Sequence, residues 1–344
     1  MDPCMQRALM FVGAVIGAGF ASGREIVSFF SCYGAFSWFL ILLSTGTMAV
    51  LCWLCLRRAG TKGVCGWCQM YCQASPLVKN LAEWCILLLQ VIMGGSMISA
   101  AGHIAALALP FPAAYPMGML VTIALALWLG SVGTKPMTVL GSLLAVLFAG
   151  AIVAVMVFDA VDAKAVVLNT VTVEKSVEGS IRAIAYASLN LAISIGMICR
   201  CGNVSCKVSS RSAVLFGLLM TCLLFVSNYL YLHHPELVHT TFPTVTLLAR
   251  FGKVGYNLSL LVMYLAILTT LSAGLFALRI GLETKVSSKT AWILTLLLPL
   301  GLSYTGFENL VDRWYAPAGM LCLLLVFVPL LWERKESSKI SLDN

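Results

Sequence analysis

The residues best suited to chemistry in this chain lie close together near its start. From Gly13 to Glu25 the sequence reads Gly-Ala-Val-Ile-Gly-Ala-Gly-Phe-Ala-Ser-Gly-Arg-Glu, inside an otherwise apolar stretch. Glycines at Gly13, Gly17, Gly19 and Gly23 loosen a helix and free backbone N–H and C=O groups. Lipid cannot satisfy such groups, so the segment belongs inside protein, against a cavity or a partner helix. A broken membrane helix of this kind offers amides to an anionic group and carbonyls to a cation, which is how a small solute is held at mid-membrane. Ser22 adds a hydroxyl. Arg24 and Glu25 add charge at membrane depth, where ionisable groups gate pathways or relay protons. Adjacent on a helix, the two point in different directions, so each is expected to find another partner.

Other positions offer related chemistry. Tyr186, Ser188 and Asn190 interrupt an apolar run; they suit either a solute or hydrogen bonds between helices. Asn228 reads as an interhelical bond of the same kind. Ala266-Ile-Leu-Thr269-Thr270 sets two hydroxyls after a small residue, although such threonines commonly bond back to their own preceding turn. His103 is a candidate proton carrier, with a hydrogen-bonded structural histidine as the plainer reading. Glu308 and Asp312 are four apart and share a helix face. With Arg313 they mark a membrane boundary, or form a gate with Arg24. The spacings Gly13-x-x-x-Gly17 and Gly19-x-x-x-Gly23 also fit a helix-packing face; the company of Ser22, Arg24 and Glu25 favours a binding break.

Enzyme chemistry has no visible carrier. The chain holds no HExxH, GxSxG or P-loop motif, so it reads as a non-enzyme with no ATP drive of its own. Thirteen cysteines are many, but Cys52, Cys55, Cys85, Cys222 and Cys322 lie in or beside apolar runs and serve as small hydrophobes. Cys65, Cys68 and Cys72, and then Cys199, Cys201 and Cys206, match no firm metal-site spacing. They read as reduced thiols on a cytoplasmic face.

The elements that must position these groups follow from composition. Of 344 residues, 60% are hydrophobic and 10% charged, against about a quarter charged in a soluble protein. This predicts an all-α integral membrane protein. A net charge of +8 gathers in short loops, which is a topology signal rather than a nucleic-acid surface. A span needs roughly 20 apolar residues, and ten candidates appear at 8–30, 35–56, 81–109, 116–134, 136–158, 180–199, 212–232, 254–280, 290–306 and 309–332. The first reads as a retained helix rather than a cleaved signal. With the N-terminus inside, 15 Lys and Arg fall on the inner side and 6 on the outer, which supports two cytoplasmic termini. Residues 57–80 form an inner link with room for a short interfacial helix. Residues 233–253 form a semi-polar outer segment, either a lid in a vestibule or a surface loop.

Ten spans divide into two repeats, about 8–158 and 180–332, with a short tail at 333–344. The first span of each half is the irregular one, a pattern that points to an inverted repeat around a central site.

The run Gly13-Ala-Val-Ile-Gly-Ala-Gly-Phe-Ala-Ser-Gly-x-Glu25-Ile, followed by Phe29-Phe30, resembles the signature of the YkvI-like bacterial membrane proteins. These are remote members of the amino acid–polyamine–organocation superfamily, whose fold is that of the leucine transporter LeuT. The resemblance implies a 5+5 inverted repeat with spans one and six both broken. It places a solute at Gly17, Ala18, Gly19 and Phe20, with Ser22 nearby and Tyr186, Ser188 and Asn190 contributed by span six. It also implies a sodium site from the carbonyls of Gly13, Ile16 and Ala266 and the hydroxyls of Thr269 and Thr270, a neutral-oxygen cage suited to a hard cation.

The expectation is a single-domain secondary transporter in the bacterial cytoplasmic membrane. It would carry an amino acid or related zwitterion or amine by alternating access. Sodium is the first choice of coupling ion, and a proton on Glu25 or His103 the second; no other cofactor is expected. The alternative is a receptor for a small nutrient, similar to germinant-receptor subunits of the same superfamily. The short tail after Trp332 leans toward transport.

Overall fold

Span one breaks where its glycines loosen it. In the computed structural model, which describes residues 2–62, 75–132, 150, 172–200 and 206–332, Asp2 caps the first half-helix by accepting the Cys4 N–H at 3.0 Å. The helix runs Pro3–Val15, then Ile16 turns out of helical geometry at ψ 80°. Gly17 is extended at ψ −171°, and a short helix resumes at Ala18–Ser22. Gly23 makes a second interruption with φ 79° before Arg24–Phe29. That left-handed backbone is cheap only for glycine.

Span six differs from expectation. Val173–Arg200 is one α-helix with no break. The reason is local: no Gly or Pro lies between Gly179 and Gly196. The polar residues expected to open it close it instead. Ser188 donates to the carbonyls of Ile184 and Ala185 at 3.1 and 3.0 Å. Asn190 donates to that of Tyr186 at 2.9 Å.

The other described spans form close to where the hydropathy put them. Spans two, three and four are Ser37–Lys62, Pro76–Ala108 and Ala114–Val132. Spans seven, eight and nine are Cys206–His233, Gly252–Glu283 and Ser288–Ser303. Span ten covers Phe307–Leu331 and contains two π-helical turns, Leu310–Trp314 and Leu323–Phe327. Among the described residues five helices are long and apolar enough to cross a bilayer, and large apolar side chains such as Leu77, Trp128 and Leu297 stand exposed on the flanks. The chain is a multi-span helical membrane protein, and no strand occurs among the described residues. Span five, much of the 57–80 link with its expected interfacial helix, both cysteine clusters and the tail lie in or beside segments outside the described residues.

Packing sorts the spans into two groups. Span two lies on spans six and seven, and span one packs on the same two. Span three lies on spans four, eight and nine. The groups meet at the Ala18–Ser22 piece of span one, which touches span eight, and along span ten, which touches spans three and six. The outer segment is folded rather than a plain loop. A helix at Pro243–Leu248 packs on the Ala18–Ser22 piece and on span eight, and a 3-10 turn at Pro235–His239 packs on that helix, on Arg24–Phe29 and on span seven.

Candidate functional site

The break in span one is the centre of the site. Gly17 donates to the Val15 carbonyl at 2.7 Å, and its own carbonyl accepts from Ala21 at 2.9 Å. A Cβ on Gly17 would stand 3.1 Å from Thr270 Oγ1. The Thr270 hydroxyl therefore faces span one at the break. Thr269 does not: its hydroxyl turns back to the carbonyls of Leu265 and Ala266, both at 3.0 Å. The expected ion donors thus separate, with Thr270 at the break and Thr269 satisfied within span eight, where a membrane helix supplies its own acceptor. Gly13 lies within the first half-helix and Ile16 at its end. Ala266 is buried in span eight.

Ser22 also serves the backbone. It donates to the Gly19 carbonyl at 2.7 Å and accepts from the Arg24 N–H at 3.1 Å, so it shapes the second interruption and is not free for a solute. Ser188 donates to Gly319 of span ten at 2.7 Å. With Asn190 spent on its own helix, only Tyr186 of the three span-six residues turns to span one. Its ring packs on Phe29 and Phe30 at 5.2 and 5.1 Å between centroids.

Glu25 folds back over the break. It is 3% exposed, and a Cβ on Gly19 would fall 1.7 Å from its Oε1. The Tyr186 hydroxyl of span six lies near the carboxyl group and, among the described residues, is buried without a completed hydrogen bond. Buried Tyr315 of span ten pairs its hydroxyl with Ser96 of span three. The partner expected for each member of the Arg24-Glu25 pair exists for Arg24 only. Among the described residues Glu25 has no basic partner, because the neighbouring guanidinium groups are held elsewhere.

Arg24 holds the side of the break that meets residues 233–253. Its Nε donates to Asp312 Oδ1 at 3.2 Å, its Nη2 pairs with Oδ2, and its Nη1 donates to the carbonyls of Val238 and Thr240 at 3.0 and 3.1 Å. Glu308 accepts from Thr241 in the same outer segment. Arg182 ties spans six, one and ten by donating to Ser28 Oγ and to the Asp312 carbonyl at 3.3 and 2.8 Å. Arg313 is exposed. Farther out, burial raises the Glu236 carboxyl, but its backbone hydrogen bond and the nearby His234 and Arg250 outweigh this and hold it below the usual carboxylate range.

His103 takes the plainer role. Its Nδ1 lies 3.0 Å from the Ser99 carbonyl, and its ring stands edge-on to Tyr115 at 5.0 Å. Asn228 bridges helices, accepting from Ser31 and donating to Ser37, each at 2.8 Å. Tyr315, Ser96, Tyr231 and Thr244 belong to the site's surroundings without having been expected. Tyr231 and Thr244 share a hydrogen bond of 2.8 Å directly behind Gly23. Ser96 had a signal: with Ser99 and His103 it lines one face of span three at helical spacing. Tyr231 and Thr244 had none, since only the tertiary fold joins them.

No protein-family model matches the chain. It is 24% identical over 342 residues to the membrane protein YkvI of Bacillus subtilis (strain 168), covering 93% of both chains. It is 27% identical over 344 residues to the protein YyaD of the same organism, covering 95% of this chain and 96% of that one. The structure of MhsT in complex with L-phenylalanine matches over 92% of this chain and 87% of that chain, with a TM-score of 0.63 at 15% identity. The chain is similar to YkvI and YyaD along nearly its whole length and has the LeuT-type fold. Mhp1, a nucleobase-cation-symport-1 family transporter solved in a closed conformation with bromovinylhydantoin bound, matches over 93% of this chain and 77% of that chain. There the TM-score is 0.56 at 14% identity. In this chain the broken first helix, the continuous sixth and the Arg24–Asp312 ion pair all sit on that shared architecture.

Proposed function

We propose that this chain is a secondary transporter that moves a small solute, an amino acid or a related zwitterion or amine, by alternating access. The observation that carries the reading is the break in span one, set between Thr270 of span eight and Tyr186 of span six, beneath an outer layer closed by Arg24 and Asp312. The solute binds at Gly17, Ala18, Gly19 and Phe20 against Tyr186. A cation at the contact of spans one and eight, held by the carbonyls of Gly13, Ile16 and Ala266 and by Thr270, keeps the half-helices in their binding arrangement. Sodium suits such neutral oxygens. Spans one, two, six and seven rock against spans three, four, eight and nine. Solute and ion are coupled because each prefers the same state. The basic inner loops support a cytoplasmic membrane location with both termini inside.

The test is solute-induced thermal stabilisation of the purified protein. Amino acids and amines are screened in sodium and in choline buffer. A solute whose stabilisation needs sodium and is lost in Thr270→Ala supports the reading. Stabilisation without uptake into vesicles for every active solute would assign the chain to sensing instead.

A further inference from the structure

Glu25 is a buried acid at the break that the outer ion-pair layer leaves unused. Its burial is nearly complete at 3% exposure. Arg24 is committed to Asp312 and to two carbonyls of the outer segment. Arg182 is committed to Ser28, to the Asp312 carbonyl and to Glu178. The remaining titratable groups on the elements packed around Arg24–Phe29 are also placed. Tyr33 meets Glu178, Cys32 meets the Ser28 carbonyl, Tyr231 meets Thr244, and His233 meets the Tyr229 carbonyl. Glu236 pairs with Arg250, Asp312 with Arg24 and Arg211 with Asp2; Cys222 is exposed, Glu174 and Lys175 open span six, and the two bases Arg313 and His239 and the phenol Tyr229 stand in or near the last turns of their elements. What packs on Glu25 itself is Gly19, with the phenols of Tyr186 and Tyr315 within electrostatic reach of its carboxyl. None of these carries positive charge.

A carboxylate buried at membrane depth with no cation beside it is strongly disfavoured, and the usual escape is to take up a proton. We propose that Glu25 carries a coupling proton. This rests on the transporter reading above. In the closed arrangement Glu25 is a neutral carboxylic acid packed on Gly19. When the Arg24–Asp312 layer parts and water reaches the break, the O–H bond breaks and the proton passes to water. The carboxylate left behind keeps its electron pair and is stabilised by water and by the Tyr186 hydroxyl, which is then free to donate to it. Only the reprotonated acid packs back against Gly19, so closure and return take one proton with them. This is compatible with a cation near Thr270, because Gly17 faces Thr270 whereas Gly19 faces Glu25.

The first measurement needs no solute. Infrared difference spectra of the purified protein in lipid nanodiscs are taken at neutral pH in water and in deuterium oxide. The wild type is expected to show a protonated-carboxyl C=O band that shifts on deuteration, moves in Glu25→Asp and is absent in Glu25→Gln. A wild-type spectrum without a Glu25-dependent band overturns the proposal. The second measurement follows exchange of a radiolabelled protein hydrolysate between the two sides of reconstituted vesicles across a pH series. Wild-type exchange is expected to change with pH, and the profile is expected to flatten in Glu25→Gln. An identical profile in both overturns the proposal while leaving transport standing. No exchange in the wild type overturns transport of these solutes and the coupling role with it; the infrared band still reports separately whether Glu25 is neutral.

Discussion

Arg24 and Asp312 form a two-toothed ion pair across 288 positions of sequence, and the same guanidinium holds the carbonyls of Val238 and Thr240. Three elements therefore meet on one side chain: the outer half of span one, the start of span ten and the segment over the break. Separating span one from span ten releases the segment too. An opening of the outer side reads as one event rather than as independent movements of a gate and a lid.

Removing either charge is expected to loosen this layer. Hydrogen bonds to charged groups are worth roughly 1.5–3 kcal/mol each when partly desolvated, and Arg24 and Asp312 are 13% and 32% exposed. Arg24→Ala should cost more than Asp312→Ala, because only the arginine also serves the outer segment. Limited proteolysis within residues 235–251, together with thermal unfolding, checks this. Equal losses in the two variants, with unchanged cleavage, would show that the segment does not depend on Arg24.

Gly23 is expected to tolerate no side chain. Its φ of 79° costs an alanine roughly 1–2 kcal/mol on backbone grounds. A Cβ there would also stand 2.2 Å from the Tyr231 hydroxyl. Gly23→Ala should therefore lower the unfolding temperature, and Tyr231→Phe in the same chain should recover part of the loss by removing the atom that is struck. A double variant no more stable than Gly23→Ala would leave the whole penalty to the backbone.

The sequence made the break in span one legible because glycines act locally, through backbone freedom that needs no tertiary context. The span boundaries were legible for a similar reason, since hydropathy is summed along the chain. The expectation for span six failed because polar residues in a membrane helix have two outlets, and spacing does not tell them apart. Asn190 took the outlet within its own helix, and Ser188 shares its hydroxyl between its own helix and the Gly319 carbonyl of span ten. Glu25 shows the deeper limit. Its type and depth marked it as unusual, but that its neighbouring arginine would be claimed by Asp312 is a fact of packing, and no pattern in residues 11–26 contains it.

Thr270 and Thr269 should separate cleanly in a sodium experiment. Thr270 meets Gly17 across the helix contact, whereas Thr269 bonds within span eight. Thr270→Ala is expected to remove the sodium dependence of solute-induced stabilisation, a shift of about 2.7 kcal/mol where ligand is at a hundredfold excess over Kd. Thr269→Ala is expected to keep that dependence. If the two variants behave alike, the back-bonded hydroxyl of Thr269 must turn toward the ion in the bound state.

Gly19 and Glu25 offer the sharpest packing test. A Cβ on Gly19 would lie 1.7 Å from Glu25 Oε1 and 2.4 Å from its Cδ, so Gly19→Ala must displace the carboxyl from its seat. Overpacking of this kind costs roughly 1–3 kcal/mol. The atoms struck belong to a side chain, so shortening that side chain should relieve the clash. Glu25→Ala is thus expected to make Gly19→Ala nearly neutral, with a coupling energy of about 0.5–3 kcal/mol in a double-mutant cycle on thermal stability. The same displacement carries a functional signature. In Gly19→Ala the carboxyl no longer reaches its buried seat, so the outer layer should stay open, and a cysteine placed at Tyr186 should react with a water-soluble thiol reagent faster than in the parent. Additive energies and an unchanged labelling rate would mean that Glu25 does not occupy the break in the folded protein in the membrane.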